Sequence, residues 1–322
     1  MPVIVFPDDY PPILVGTDEE KRLRKLGEVR IYESEAVGEE ELISRVADAD
    51  IAYIMRSSSV FTRNVMQHCP KLKLISILGA GYDHIDIKAA SEFGITVCTT
   101  PSYASVAVAE LAISLMLDIA HCITWKDNEM RSGRWAHEYA SQLCGKTLGV
   151  IGTGSISQKV IQLAKAIGMN VVAWTFHPSP ERAEKYGVKF VSLEELLQQS
   201  DVISLHVRST PETKALIGKH EFSLMKPTAI LVNTARGALV DEDALIEVLN
   251  NGRIAGAGLD VFVTEPLPVD HPLRKIKNTV LSPHEGWMVP EATYTGMVMA
   301  VDNVENFLRG HPINVISEQG SQ

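Results

Sequence analysis

One stretch limits the fold of this chain more than any other: Leu-Gly-Val-Ile-Gly-Thr-Gly-Ser-Ile-Ser, from Leu148 to Ser157. An apolar run that reads as a strand meets a Gly-x-Gly turn and opens into an amphipathic helix, with Ile156, Val160, Leu163, Ala164 and Ile167 on its inner side. Gly152 permits the tight turn. Gly154 lets an anionic group such as a pyrophosphate approach the backbone where free helix N–H groups and the helix dipole favour negative charge. Ser157 stands where a third glycine is usual, and serine is small enough for helix and strand to pack closely.

The rest of the chain fits such a unit. From the start, β-rich runs alternate with helical patterns: Val3 to Phe6, Thr17 to Gly27, Val29 to Tyr32, Glu39 to Ala49, Ile51 to Met55, Leu74 to Leu78, Ile85 to Phe93 and Ile95 to Cys98. Thr17-Asp-Glu-Glu20 has the spacing of a capping box. Alternation of this kind, with glycine stops at Gly27 and Gly94, implies a parallel sheet covered by helices. Pro101 breaks the pattern. A long helix from Ala104 to Cys122 and an irregular stretch from Ile123 to Leu143 follow. A second series then places strands at Thr147 to Gly152, Asn170 to Thr175, Asp201 to His206, Ala229 to Asn233, Ile254 to Asp260 and Thr279 to Ser282. Six strands with intervening helices match a doubly wound dinucleotide fold. A last helix, Pro290 to Arg309, ends at Gly310, and the tail Ser317 to Gln322 is expected to be disordered.

Composition narrows the function classes. In 322 residues, 45% hydrophobic, a formal net charge of -10 argues against a general nucleic-acid or anionic-membrane partner. The apolar stretch Val106 to Cys122 contains Glu110 and Asp118, which makes it a poor membrane span. No basic region followed by an apolar stretch opens the chain, so no secretory signal is expected. Four cysteines, at 69, 98, 122 and 144, lack metal-ligand spacing and read as reduced thiols; no metal is expected.

NAD sites carry an acidic residue about 20 residues beyond the glycine loop, for the ribose hydroxyls. Here the segment Asn170 to Pro178 holds no carboxylate, and Thr175 occupies the strand end, with His177 and Arg182 nearby. NADP is therefore admissible and slightly favoured over NAD.

Three polar residues sit where strands run out into loops: Arg236 in Asn-Thr-Ala-Arg-Gly, Glu265 before Pro266, and His284 in Ser-Pro-His-Glu-Gly-Trp. Ligands of open α/β sheets bind beyond the carboxyl ends of strands, so the three can converge. Arginine offers a planar fork for a carboxylate. A histidine beside a glutamate is a candidate proton donor and acceptor. Backbone donors of Gly79, Ala80 and Gly81 would complete the anion contacts, with substrate lying between domains.

At these residues the chain resembles the D-isomer-specific 2-hydroxyacid dehydrogenase family, which includes glyoxylate/hydroxypyruvate reductases and phosphoglycerate dehydrogenases. The likeness runs from Leu-Gly-Ala-Gly-Tyr-Asp (78 to 83) through Val-Ala-Glu (108 to 110), the glycine loop, Asn-Thr-Ala-Arg-Gly-Ala-Leu-Val-Asp-Glu (233 to 242) and Gly-Leu-Asp-Val-Phe (258 to 262) to Pro-His-Glu-Gly (283 to 286). It implies an α/β chain of two doubly wound parallel-sheet domains: a flavodoxin-like substrate domain, 1–103 with 290–322, and a Rossmann dinucleotide-binding domain, 104–289. It implies a cytoplasmic homodimer joined through the long helix and the arm carrying Trp125 and Trp135, and hydride transfer between NAD(P)H and a small 2-oxo acid. Arg236 would hold the substrate, His284 act as general acid/base and Glu265 pair with it. Gly152, Gly154, Ser155, Ile156, Thr175, His206, Val207, Thr234, Ala235, Asp260 and Gly286 would contact the cofactor, and Trp287 the substrate.

Departures from the family pattern bear on substrate. Glu285 follows the histidine where a small or aliphatic residue is usual, Ala104 stands where Asn is common, and Ser58 where a phosphoglycerate enzyme would place an arginine. These favour glyoxylate or hydroxypyruvate over a phosphorylated acid, with a phosphoglycerate-type enzyme as the alternative. Glu265 argues against formate dehydrogenases, which resemble this chain but carry Gln, and Ala80 against phosphite dehydrogenases, which use Lys. A dinucleotide-sensing co-repressor is the alternative of another class.

Overall fold

The computed structural model describes residues 1–55 and 59–316; Ser58 and the tail Ser317 to Gln322 lie outside them. The chain divides into two compact units, Met1–Tyr103 with Val289–Gln322, and Ala104–Met288.

In the first unit β1 (Val3–Phe6), β2 (Glu28–Ile31), β3 (Ile51–Ile54), β4 (Leu74–Ile77) and β5 (Thr96–Cys98) form a parallel sheet of order β2-β1-β3-β4-β5. This is the flavodoxin-like order. Every residue of β3 and β4 is buried, because strands covered on both faces need continuous apolar runs rather than alternation. The connections carry α1 (Asp18–Leu26), α2 (Gly38–Val46), α3 (Arg63–Gln67) and α4 (Ile87–Glu92). At α1 only half of the expected capping box forms. Thr17 Oγ1 accepts from Glu20 N at 3.1 Å, but the Glu20 carboxylate accepts from Gly16 N at 2.7 Å. The Thr17 N–H is already donated to Leu14 O.

The C-terminal helix, Pro290–Leu308, belongs to this unit through polar contacts. Fully buried Asn303 donates to Thr99 O at 2.9 Å and accepts from Asn314 Nδ2 at 2.9 Å, and Val315 bridges antiparallel to Cys98.

The second unit holds α5 (Ser105–His121), α6 (Ile123–Arg131) and seven parallel strands: β6 (Thr147–Ile151), β7 (Asn170–Trp174), β8 (Lys189–Phe190), β9 (Val202–Leu205), β10 (Ile230–Asn233), β11 (Gly256–Leu259) and β12 (Thr279–Leu281). Their order is β12-β11-β10-β9-β6-β7-β8, which reverses direction between β6 and β9 as in doubly wound dinucleotide folds. The intervening helices are α7 (Ser155–Ala166), α8 (Pro180–Tyr186), α9 (Leu193–Gln199), α10 (Lys219–Leu224) and α11 (Glu242–Asn250).

Three expectations are corrected here. There are seven strands rather than six, because two residues of β8 are too short to show a period. Of the stretch expected to be irregular, Ile123–Arg131 forms α6, which buries none of its residues and so has no apolar stripe to read, while residues 132–143 are irregular as expected; an Arg131–Asp127 pair at 2.6 Å lies on the surface of α6. On α7 the buried residues are Ser157, Val160, Ile161 and Ala164, while Ile156, Leu163 and Ile167 lie at the margin of the core.

The long helix α5 packs inside its own unit: Ala109, Ala112, Leu115, Met116 and Ala120 are core residues beside Val150, Val160 and Val232. Much of its apolar character is thus accounted for by its own core. Among the described residues no single helix is long and apolar enough to cross a membrane. All four cysteines are free thiols.

Candidate functional site

The loop after β6 is built around a backbone that admits no side chain. Gly152 has φ +98, and a Cβ there would lie 2.5 Å from His206 O and 2.9 Å from Val207 Cγ1. Only glycine satisfies both the dihedral and the close approach. Gly154 caps α7 without any side-chain cap, and the space its Cβ would occupy has nothing within 4 Å. The first turn of α7, with Ser155 and Ile156, therefore opens onto free volume, as an anion cradle requires. Ser105 Oγ donates to Ser155 Oγ at 2.8 Å. Ser157 is fully buried, so the serine keeps the close packing expected of a third glycine.

Thr175 is half-buried just beyond β7, and Gly152 N donates to Trp174 O at 2.8 Å, which places glycine loop and strand end side by side. His206, half-buried beyond β9, has Nε2 2.8 Å from Ser204 Oγ, and burial lowers its imidazole to about 4. At neutral pH it is uncharged.

The ends of β10, β11 and β12 carry the other three residues. Buried Asn233, last residue of β10, accepts from Ala235 N at 3.0 Å and donates to Arg236 O at 2.8 Å, an Asx turn that sets where Arg236 leaves the sheet. Gly237 follows, and a Cβ there would lie 2.0 Å from Phe262 C, so this loop presses on the segment leaving β11. In that segment Phe262 N donates to Glu265 Oε1 at 2.9 Å, and Glu265 Oε2 lies 2.7 Å from His284 Nδ1.

Burial pushes the Glu265 carboxyl up, but the His284 ring, the Phe262 N–H and the Arg236 charge outweigh it, and the group lies below the usual glutamate range. An ionised carboxylate only accepts, so Nδ1 carries a hydrogen toward Glu265 and Nε2 is left for chemistry. The influence of Arg236 on Glu265 puts all three residues in one neighbourhood.

His284 itself is held in the left-handed region, φ 56. Asp260, 2% exposed, accepts from Glu285 N and Gly286 N at 3.0 Å each, pinning the turn that contains the histidine. Next to Asn233, Thr234 Oγ1 is buried without a hydrogen-bond partner among the described residues, an orphaned polar atom at the end of β10. That atom and the open cradle before α7 are the features a dinucleotide stretched along this edge would use.

Not every expected residue contributes as expected. In the first unit the Gly79 N–H is donated to Thr100 Oγ1 at 2.8 Å, so this donor is engaged within its own unit. Trp287 is half-buried and Glu285 exposed beside His284. Asn233, Gly237 and Phe262 were not singled out from sequence. The first two had a local signal, an Asn three residues before Arg236 and a Gly after it; Phe262 acts through its backbone, which sequence does not mark.

A doubly wound unit with an anion cradle at its switch point and an Arg, Glu and His gathered at neighbouring strand ends defines a class, the nicotinamide-dependent oxidoreductases. Residues 113–286 match the family described as D-isomer specific 2-hydroxyacid dehydrogenase, NAD binding domain. Over 307 residues the chain is 38% identical to the hydroxypyruvate reductase of Blautia hydrogenotrophica, covering 92% of this chain and 94% of that one. It is 41% identical over 296 residues to the D-3-phosphoglycerate dehydrogenase of Methanocaldococcus jannaschii, covering 91% of this chain but 56% of that one, so it spans about half that relative's length. An acyclic imino acid reductase in complex with NADPH and D-Arg superposes with a TM-score of 0.87 at 31% identity, over 98% of this chain and 99% of that one. The chain belongs to the D-isomer-specific 2-hydroxyacid dehydrogenase family, and its reaction is nicotinamide-dependent oxidoreduction of a 2-hydroxy acid and its 2-oxo acid.

Proposed function

We propose that the chain reduces a small unphosphorylated 2-oxo acid, glyoxylate or hydroxypyruvate, to the corresponding 2-hydroxy acid, the D-isomer where the product is chiral, with NADPH preferred to NADH. The single observation that carries this reading is the His284–Glu265 pair at 2.7 Å, with Arg236 close enough to act on the same glutamate. When bound, the reduced dinucleotide supplies the hydride. Gly152, Gly154, Ser155 and Ile156 hold its pyrophosphate, Thr175 its ribose, and His206 with Val207 its adenosine. Thr234, Ala235, Asp260 and Gly286 lie along its nicotinamide half.

Arg236 binds the substrate carboxylate through its fork and offsets charge growing on the carbonyl oxygen. His284 gives the proton at Nε2 to that oxygen, while Glu265 holds Nδ1 and keeps the ring aimed. Exposed Glu285 beside His284 disfavours a doubly charged phosphorylated acid by like-charge repulsion, and Trp287 bounds the pocket. The 41% identity to a phosphoglycerate dehydrogenase supports the second reading, a phosphorylated substrate.

Further, the four free cysteines fit a cytoplasmic protein, and exposed Ile123, Met130, Trp135 and Tyr139 fit a homodimer contact, read by light scattering. Oxidation of NADH and NADPH followed in parallel against glyoxylate, hydroxypyruvate, pyruvate and 3-phosphohydroxypyruvate tests the whole reading. Highest kcat/KM for the phosphorylated acid would replace the first reading by the second, and no turnover with any 2-oxo acid would end both.

A further inference from the structure

Arg182 reaches back from α8 to the glycine loop. Ser179 caps α8 by accepting from Arg182 N at 3.2 Å, which puts the arginine in the first turn with its side chain directed toward the helix start. Nη2 donates to Thr153 Oγ1 at 2.6 Å, with a longer 3.4 Å contact to Thr153 O, and Nη1 donates to His177 O at 3.0 Å. Thr153 lies between Gly152 and Gly154 and is 4% exposed. The guanidinium thus spans the glycine loop and the segment leaving β7, the two stretches that flank the adenosine ribose in folds of this type.

Its charge stays available there. Among the described residues its three acceptors are all neutral, and a guanidinium has five N–H donors, so donors remain for an anion. No carboxylate stands between Thr175 and Ser179, and the adjacent Glu181 is turned onto Ser179. Neutral His206 adds no charge from the β9 side.

We propose that Arg182 is the residue by which this protein selects NADPH over NADH, its guanidinium receiving the 2′-phosphate of the adenosine ribose across the glycine loop. The assignment rests on the dinucleotide reading above and adds the discriminating residue. It differs from a basic residue placed directly after the strand, since position 176 is Phe and the charge is delivered from the next helix, already oriented by Thr153 and His177.

The test is calorimetric titration of wild type, Arg182→Gln and Arg182→Lys with 2′,5′-ADP and with 5′-AMP, which differ by the 2′-phosphate. Wild type should prefer 2′,5′-ADP by about tenfold or more, the worth of one charge-assisted contact. Arg182→Gln should bring the ratio near unity while 5′-AMP affinity stays within about twofold, and Arg182→Lys should keep part of the preference. The proposal is overturned if Arg182→Gln retains the preference, if both ligands weaken equally, or if wild type prefers 5′-AMP. Binding of neither nucleotide to wild type would instead remove the dinucleotide reading, and this assignment with it.

Discussion

His284 Nδ1 lies 2.7 Å from Glu265 Oε2 while the other oxygen of Glu265 accepts the Phe262 N–H at 2.9 Å. The glutamate is therefore positioned by backbone before it meets the ring. His284 in turn occupies a left-handed conformation, φ 56, which costs of order 1 kcal/mol and persists because Asp260 holds the two following N–H groups. A ring fixed from both ends presents Nε2 in one direction, which suits a proton donor.

Replacing that donor should separate chemistry from cofactor binding. His284→Gln is expected to lower kcat by about 10²- to 10⁴-fold, the usual contribution of a positioned general acid. Dinucleotide affinity, followed by fluorescence titration, should stay near that of wild type. Surviving turnover would remove the role.

Arg236→Ala takes away the fork for the carboxylate. A rise in KM and a drop in kcat/KM of roughly ten- to a hundredfold are expected, in line with loss of hydrogen bonds to a charged group. Steady-state kinetics with KM and kcat both unchanged would sink the clamp.

Gly237 joins the two loops that carry Arg236 and Glu265. With a Cβ 2.0 Å from Phe262 C and 2.4 Å from Val263 N, Gly237→Ala must push these backbones apart. Overpacking of this kind costs about 1–3 kcal/mol, so the melting midpoint should fall by roughly 3–10 °C, with kcat reduced as Glu265 shifts. An unaltered melt would mean the loops yield freely.

Acid should weaken the protein through His206. Its imidazole is lowered from 6.5 to about 4 by burial, so the unfolded chain takes up a proton at a pH where the folded one does not. Burying the neutral ring carries no proton-linked penalty above about 6.5, and the penalty grows as pH falls toward 4. In thermal melts between pH 7 and 4.5, wild type should lose more stability than His206→Gln as pH falls; parallel curves would assign the acid sensitivity elsewhere.

Much of the frame is legible in the sequence. Each expected strand is present with ends within two residues, because doubly covered strands such as β3, β4, β9 and β10 are buried throughout and predominantly apolar, with a single polar residue at Ser76, Ser204 and Asn233 in the last three. α6 and β8 leave no such signal for the opposite reason: one buries nothing and the other is two residues long. In the site, residue type and position at strand ends pointed to Arg236, Glu265 and His284. Asn233 and Gly237 were harder to see, since their part lies in backbone contacts with neighbours.

Sequence by itself determined the alternating α/β plan, the glycine turn at Gly152 and the three chemistry-bearing residues, since local propensity, φ requirement and side-chain type are properties of short segments. Tertiary structure decided the rest. Strand order brings the ends of β10, β11 and β12 together, places Asp260 under the His284 turn, engages Gly79 with Thr100 and carries Arg182 to Thr153. Those contacts join residues of different loops, and their distances depend on how the sheet is wound and packed.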